Sequence, residues 1–477
     1  MQRGLRKICP AEAGHVRFVA LLLAALSLLS AGAAWAQTEI PKKRRPVAAV
    51  ELPSPTPNDE IKSIKSYGYG STGSPAAAPD RPSGSANGQL LASQARPLPP
   101  PSATGLQLTV RSDLSAVSVA LTRFVEVQVF TLANPYRVVI DMADVRFELP
   151  ARLSQHAGGH VRAIRYGLIA PGRSRIVIET TGPVLVEHRY QSQTNNASPP
   201  ILNVSLRTAT DEQFMASMET ARAVNPTTFV PPAAPIVPEG KTGRPVIVLD
   251  PGHGGIDGGA VGAANTVEKE IVLAVALKVR DELRRRNRYE IVMTRSDDRF
   301  VSLDQRVAIS QRANADLFLS LHADAVPDPA FADQARGATL YTLSEQASSR
   351  AAQELADREN AADVRAGFSF EPDLNPQVTS ILHDLALRET RNFSIQASKL
   401  LERRLGERNF LSRDPSRSAA FRVLRQPEVP SVLIELGFLT NEVDAKLMQT
   451  EDWQRRVAST LANGIDAFFS TRRRANP

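Results

Sequence analysis

The chain has 477 residues, too many for one ordinary hydrophobic core at roughly 150 residues per domain, and a formal charge of +7 from 57 Lys and Arg against 50 Asp and Glu. Its single cysteine, Cys9, excludes a disulfide framework and a thiolate metal centre. Aromatic residues are only 5% of the chain and the basic residues are scattered, which argues against a nucleic-acid-binding surface. The one tight basic cluster, Arg284, Arg285, Arg286 and Arg288, reads as a helix C-terminus, where cations complement the dipole.

Residues 1–36 join Arg3, Arg6, Lys7 and Arg17 to an apolar run, Phe18 to Leu29, and end on small residues at Ala34 and Ala36. This pattern predicts a secretory signal peptide cleaved after Ala36. The run is shorter than the roughly 20 residues that span a bilayer, and no later segment is long enough. Cys9 falls inside the signal rather than at the cleavage point, so no lipid anchor is expected. A soluble, exported, cysteine-free protein of the periplasm fits these features. Residues 37–104 are rich in Pro, Ser, Gly and Ala with little periodic apolar pattern, which predicts a disordered tether.

Within residues 105–208, short runs such as VSVALT, VEVQVFTL, YRVVIDM, SRIVIET, VLVEHRYQ and ILNVSLR alternate with turn residues. Seven or so strands without helical period predict a small all-β sandwich. Its histidines, His156, His160 and His188, follow no motif and read as surface or loop residues. Residues 209–244, with VNPTTFVPPAAPIVPEGKTGRP, read as a Pro-rich linker.

From 245 to 472 strands and helices alternate. PVIVLD precedes EKEIVLAVALKVRDELRRR, in which Ile271, Val272, Val275, Ala276, Val279 and Leu283 make one apolar stripe. YEIVMTR, the helix LDQRVAISQRAN, LFLSLH, GATLYTL, long helical stretches, SVLIEL and a last helix around Asp452 to Phe469 follow. The order predicts an α/β domain with a mostly parallel sheet covered by helices on both faces.

Three apolar strands in this domain end on metal-ligand or acid–base side chains. PVIVLDPGHGGIDGGA delivers His253 into a glycine-rich loop, LFLSLHAD ends on His322, and SVLIELGFLTN carries Glu435. Residues beyond the carboxyl ends of parallel strands converge on one crevice. A hydrolytic zinc site takes three protein ligands and leaves a position for water; without cysteine, His, Asp and Glu remain. His253 and His322 are the leading ligands. Glu268 opens the next helix and reads either as a third ligand or as a carboxylate favoured by the helix dipole. Glu435 interrupts an apolar run and reads as a general base, or as a buried glutamate paired with Arg295 or Arg306. Asp250 and Asp257 are expected to orient a histidine from behind or to shape the turn. His383 matches no motif.

DPGHGGIDGGA, TVEKEI, SLHAD and FRVLRQPEVPSVLIELGFLTN, in this order, resemble the zinc-dependent N-acetylmuramoyl-L-alanine amidases of the bacterial cell-division type, AmiA, AmiB and AmiC. The resemblance covers essentially all of Pro245 to Phe469. It implies Zn2+ held by His253, Glu268 and His322, Glu435 as the catalytic carboxylate, and hydrolysis of the amide between N-acetylmuramic acid and L-alanine of peptidoglycan. The β-rich segment resembles the AMIN domain, which implies a module that binds cell wall at the division site.

An insertion at about 344–377, with a helix expected from Glu345 to Val364, is by the same resemblance a regulatory segment that blocks the zinc cleft until a LytM-type activator displaces it. Glu345 first, and Glu354 second, is the expected fourth ligand of the resting state; the alternative is an ordinary exposed amphipathic helix. Two other readings of the chain are a wall-binding scaffold with a silent site and a zinc peptidase that cuts within the stem peptide.

Overall fold

The computed structural model describes residues 99–150, 158–191, 199–224, 243–262, 266–326, 332–368 and 381–475. The expected signal peptide and nearly all of the expected tether lie outside them.

The first folded part is two facing antiparallel sheets. One has the order β5(Arg146–Phe147)-β1(Ser102–Val110)-β2(Leu114–Leu121)-β9(Ile201–Thr208)-β8(Val184–Gln191); the other is β3(Val127–Leu132)-β4(Arg137–Ala143)-β7(Arg173–Thr180)-β6(Val161–Ala170). Among the described residues of these two sheets, only the short β5 pairs in parallel, with β1. Val117, Val119, Ile140, Ile164, Ile176, Ile178, Leu202 and Val204 fill the space between the sheets, each fully buried. β6 is absent from the sequence reading, because Arg162, Arg165, Tyr166 and Gly167 break its alternation.

The 209–244 segment is not wholly a linker. α1(Asp211–Val224) occupies its first part, started by a reciprocal capping box in which Thr210 Oγ1 accepts the Gln213 amide and Gln213 Oε1 accepts the Thr210 amide. Phe214 buries itself edge-on against Tyr136, 5.0 Å between centroids. Prolines further along had masked this helix in the composition of the whole segment.

The second part is built on a six-stranded sheet, β11(Glu290–Met293)-β10(Val246–Pro251)-β12(Leu317–His322)-β15(Ser431–Glu435)-β13(Ala338–Leu343)-β14(Leu411–Ala419). Alternate residues of the central strands face opposite sides. Ile247, Leu249, Leu317, Leu319, Val432 and Ile434 pack against α2(Glu268–Arg286), α6(Ile381–Gly406) and α8(Glu451–Ala475). Val248, Phe318 and Leu433 pack against α3(Leu303–Arg312) and α4(Arg350–Asn360) on the other face. The strands therefore read as continuous apolar runs because both faces are covered. The short α5(Ala362–Arg365) follows α4, and α7(Glu442–Met448) precedes α8. Among the described residues, no helix is long and apolar enough to cross a membrane.

One reversal matters for the site. β10, β12 and β15 run parallel, but β13 runs antiparallel to β15, with Thr339 opposite Glu435 and Tyr341 opposite Leu433. The chain thus enters β13 at the carboxyl end of β15 and leaves it at the far end.

Candidate active site

The carboxyl ends of β10, β12 and β15 bring His253, His322 and Glu435 to one place, and the first turn of α2 adds Glu268. His253 adopts a left-handed backbone, φ 57°, inside the glycine loop. Two buried arginines hold that loop by its carbonyls. Arg306 donates to the carbonyl oxygens of Pro251 and His253 at 2.8 and 2.7 Å, and Arg295 to those of Pro251 and Gly252 at 2.9 and 2.7 Å. Asp250 fixes Arg306 with a 2.6 Å ion pair and accepts from Thr294 and Ser320 at 2.6 and 2.7 Å. Burial disfavours its charge, yet Arg306 and the two hydroxyls still hold its carboxyl below the usual range. Asp250 accordingly shapes the turn through Arg306 and does not touch the His253 ring. Arg295 and Arg306 are both committed to this loop, and the hydrogen bond to Glu435 comes from the Asp324 amide instead.

Asp257 is the residue that orients His253: its Oδ2 lies 2.8 Å from Nδ1, which leaves Nε2 as the outward nitrogen. Glu268 is only 2% exposed. Its Oε2 accepts the Ala260 amide and its Oε1 the Ala323 amide, both at 2.8 Å, so backbone from two loops aims the carboxylate. Oε1 then sits 3.0 Å from His253 Nε2 and 3.2 Å from His322 Nδ1. The two imidazoles meet edge-on at 4.8 Å between centroids.

These three side chains fit a resident cation. Their donor atoms all lie within 4.8 Å of one another, and His253 Nε2 and His322 Nδ1 are buried without a hydrogen-bond partner. Burial disfavours a charge on His253, but Glu268, Asp257 and Glu359 outweigh it and hold its proton well above the usual imidazole range. A cation would answer the same concentration of negative charge. The packing leaves no slack: a Cβ on Gly252 would lie 2.4 Å from the His322 ring, and one on Gly259 would lie 2.5 Å from Glu268 Oε2.

Glu435 is fully buried at the end of β15. Its Oε2 accepts the Asp324 amide at 2.8 Å, while Oε1 is buried with no partner. Burial, reinforced by Asp324, Glu268 and Glu359, raises its pKa well above the usual carboxyl value. Such a carboxylate takes up a proton readily.

The segment after β13 does reach this site, through a glutamate other than those expected. Glu359, one residue before the end of α4, places Oε2 3.4 Å from His253 Nε2 and 3.5 Å from His322 Nδ1. Glu345 is exposed between β13 and α4, and Glu354 is exposed and paired with Arg350. The reversal of β13 explains the difference. Glu345 follows the end of β13 remote from the site, and the 11-residue α4, about 16 Å long at 1.5 Å per residue, brings the chain back. The helix also starts later than expected, at Arg350, where the Ser349 hydroxyl accepts the Ala352 amide. Arg358 adds a 2.5 Å ion pair to Asp324, whose carboxyl is pushed up to about 7 by burial, with Arg358 opposing and Glu268 and Glu359 adding to the shift. Beside α4, a cleft of about 920 Å³ is lined by His253, Glu268 and Glu359 and, from the β domain, by Arg146, Arg165 and Tyr166.

Comparison with known proteins agrees with this architecture. A family profile described as N-acetylmuramoyl-L-alanine amidase matches residues 247–467, and the AMIN domain profile matches residues 109–205. The chain is 32% identical over 376 residues to N-acetylmuramoyl-L-alanine amidase AmiC of Escherichia coli O6:H1, covering 75% of this chain and 87% of that protein. It is 33% identical over 395 residues to AmiC of Neisseria meningitidis serogroup B, covering 78% of this chain and 88% of the relative. To AmiA of Escherichia coli K12 it is 39% identical over 228 residues, 48% of this chain and 77% of that protein. With its AMIN and amidase parts in the same order as they stand in the sequence reading, the chain belongs to the N-acetylmuramoyl-L-alanine amidase family.

Proposed function

We propose that the chain is a peptidoglycan amidase that cleaves the bond between N-acetylmuramic acid and the L-alanine of the stem peptide, and that its resting form is closed by Glu359. The observation that carries the reading is the convergence of His253 Nε2, His322 Nδ1 and Glu268 Oε1 beside the unpartnered Oε1 of Glu435. His253, Glu268 and His322 would hold Zn2+. When bound, zinc supplies Lewis acidity, polarising the scissile carbonyl and making water a better nucleophile at neutral pH.

The chain's own residues do the rest. Asp257 fixes the His253 tautomer, and the Ala260 and Ala323 amides fix Glu268. Glu435 Oε1 takes the proton of the attacking water and returns it to the amine that leaves with L-alanine, the two halves of general acid–base catalysis. Glu359 stands where substrate must come and has to withdraw before the cleft is usable. An activator of the LytM type is the proposed agent. The signal peptide, periplasmic location, role in daughter-cell separation and wall-binding task of the AMIN domain belong to the same reading, as do the domain limits.

The test is digestion of purified peptidoglycan by the mature protein and by Glu359→Gln, with fragments identified by mass. Free stem peptides that begin at L-alanine establish the bond. Fragments cut within the peptide would point to a peptidase instead, and no release by either protein would favour a silent scaffold.

A further inference from the structure

The inner face of the β domain's second sheet packs on the first sheet, but its outer face is also buried. Val139, Ile169 and Val177, at most 1% exposed, form a separate apolar cluster with Ile256, Phe300, Ala366 and Phe368 of the amidase part. Along β4 and β7 the buried part of this outer face includes Arg137, Val139, Asp141, Arg175 and Val177, and Arg137 and Arg175 are 2% and 1% exposed. Asp141 binds Arg175 through Nε and Nη2, at 2.5 and 2.8 Å. That pair leaves Nη1 of Arg175 directed at the carbonyls of Ala366 and Gly367, 3.3 and 3.0 Å away. Arg137 Nη1 donates to the carbonyls of Val364 and Phe368 at 2.5 and 3.1 Å.

These carbonyls belong to the end of α5 and the residues just after it. The end of so short a helix leaves carbonyls without full backbone partners, and two guanidinium groups supply donors to them, the Val364 carbonyl also accepting the Gly367 amide. Here the guanidinium donors come from another domain. Gly367, at φ 78°, lies so close to the sheet that a Cβ there would be 2.9 Å from Val177 and 3.2 Å from Val139. Phe368 stacks on Phe300 at 5.5 Å and under the Arg175 guanidinium at 4.9 Å. From this anchor the chain runs back through Arg365, 3.7 Å from Asp257, to Glu359 on the two histidines.

We propose that the β domain is the second half of the lock: its β4–β7 face binds Val364–Phe368 and thereby keeps α4, and Glu359 with it, over the catalytic centre. The proposal rests on the reading that Glu359 closes the site. It gives the β domain a task inside the molecule, so that any event that separates this face from the segment loosens the blocking helix.

Hydrogen exchange on the full-length protein tests it. Arg137→Ala, and separately Val139→Ala with Val177→Ala in case the arginine variant folds poorly, should speed exchange of amides 352–365 by at least about tenfold, since each removes charge-assisted bonds or contacts made only by this interface. Protection of β2 and β9 reports that the β domain remains folded. Basal peptidoglycan hydrolysis should rise with the exchange. Unchanged exchange at 352–365 in folded forms of both variants would overturn the proposal. Glu359→Gln separates the two readings: faster hydrolysis with the segment still protected supports the block, whereas faster exchange in the β-domain variants without any gain from Glu359→Gln keeps the anchor and removes the block.

Discussion

His322 and Glu435 are register partners on neighbouring parallel strands, so the last residue of β12 stands beside the last residue of β15. Strand pairing, rather than a flexible loop, sets the spacing between an expected ligand and the expected base. Glu435→Gln keeps the shape and the bond from the Asp324 amide but cannot take a proton. It should lower peptidoglycan hydrolysis by about 10²–10⁴-fold while the protein still holds one equivalent of zinc, measured by turnover together with metal analysis. Substantial activity in Glu435→Gln would remove the base from this position.

Asp257 reaches the expected ligands through the His253 ring, with its other oxygen facing Arg365 and the Gly259 amide. Asp257→Asn should weaken zinc binding by about 10–100-fold, read by chelator competition, with the fold unchanged by circular dichroism. An unaltered affinity would mean that the 2.8 Å contact does not orient the ring.

Gly252→Ala should act from the other side. The new methyl would intrude on the His322 ring at 2.4 Å, where backbone and ring are both held. The expected outcome is a folded protein with little bound zinc and little activity; full zinc occupancy would show that the ring can move.

Segment 350–365 should depend on pH through Asp363. Its Oδ1 accepts the Leu303 amide, its Oδ2 is buried without a hydrogen-bond partner, and burial pushes the carboxyl up to about 6. A folded-state pKa above the unfolded value means that stability is greatest while the group is protonated and is lost as pH rises through about 6. At about 1.4 kcal/mol per unit, a shift of two units is of the order of 3 kcal/mol. Protection of this segment should fall between about pH 4 and pH 6 and level off above that, and Asp363→Asn should flatten that fall. A parent protein with no such fall in hydrogen exchange would contradict the assignment.

The sequence made His253, His322 and Glu435 legible because each ends an apolar run, and apolar runs in an alternating α/β pattern become buried parallel strands. The structure brings them together with Glu268. Glu359 was not legible. ATLYTL reads the same in either direction of pairing, so the reversal of β13, which carries Glu345 away and returns Glu359, left no mark in the pattern. The AMIN part shows a signal that was present but unread. RVVIDM and SRIVIE are apolar at consecutive positions instead of alternate ones, as expected for strands covered on both faces, and the second cover is the amidase part. Asp324 ends the SLHAD motif but was given no role beside His322, Arg358 belongs to no motif, and only the fold makes the two neighbours.

The return path of α4 has a rotational consequence. Glu359 meets the histidines because the helix begins at Arg350, just after the Ser349 cap, and turns by about 100° per residue. Adding or removing one residue between them would keep the helix and its length nearly intact but swing the carboxylate to another side. The proposed closure therefore depends on angular phase, and a one-residue change in the helix is expected to leave the site open in an otherwise unchanged enzyme.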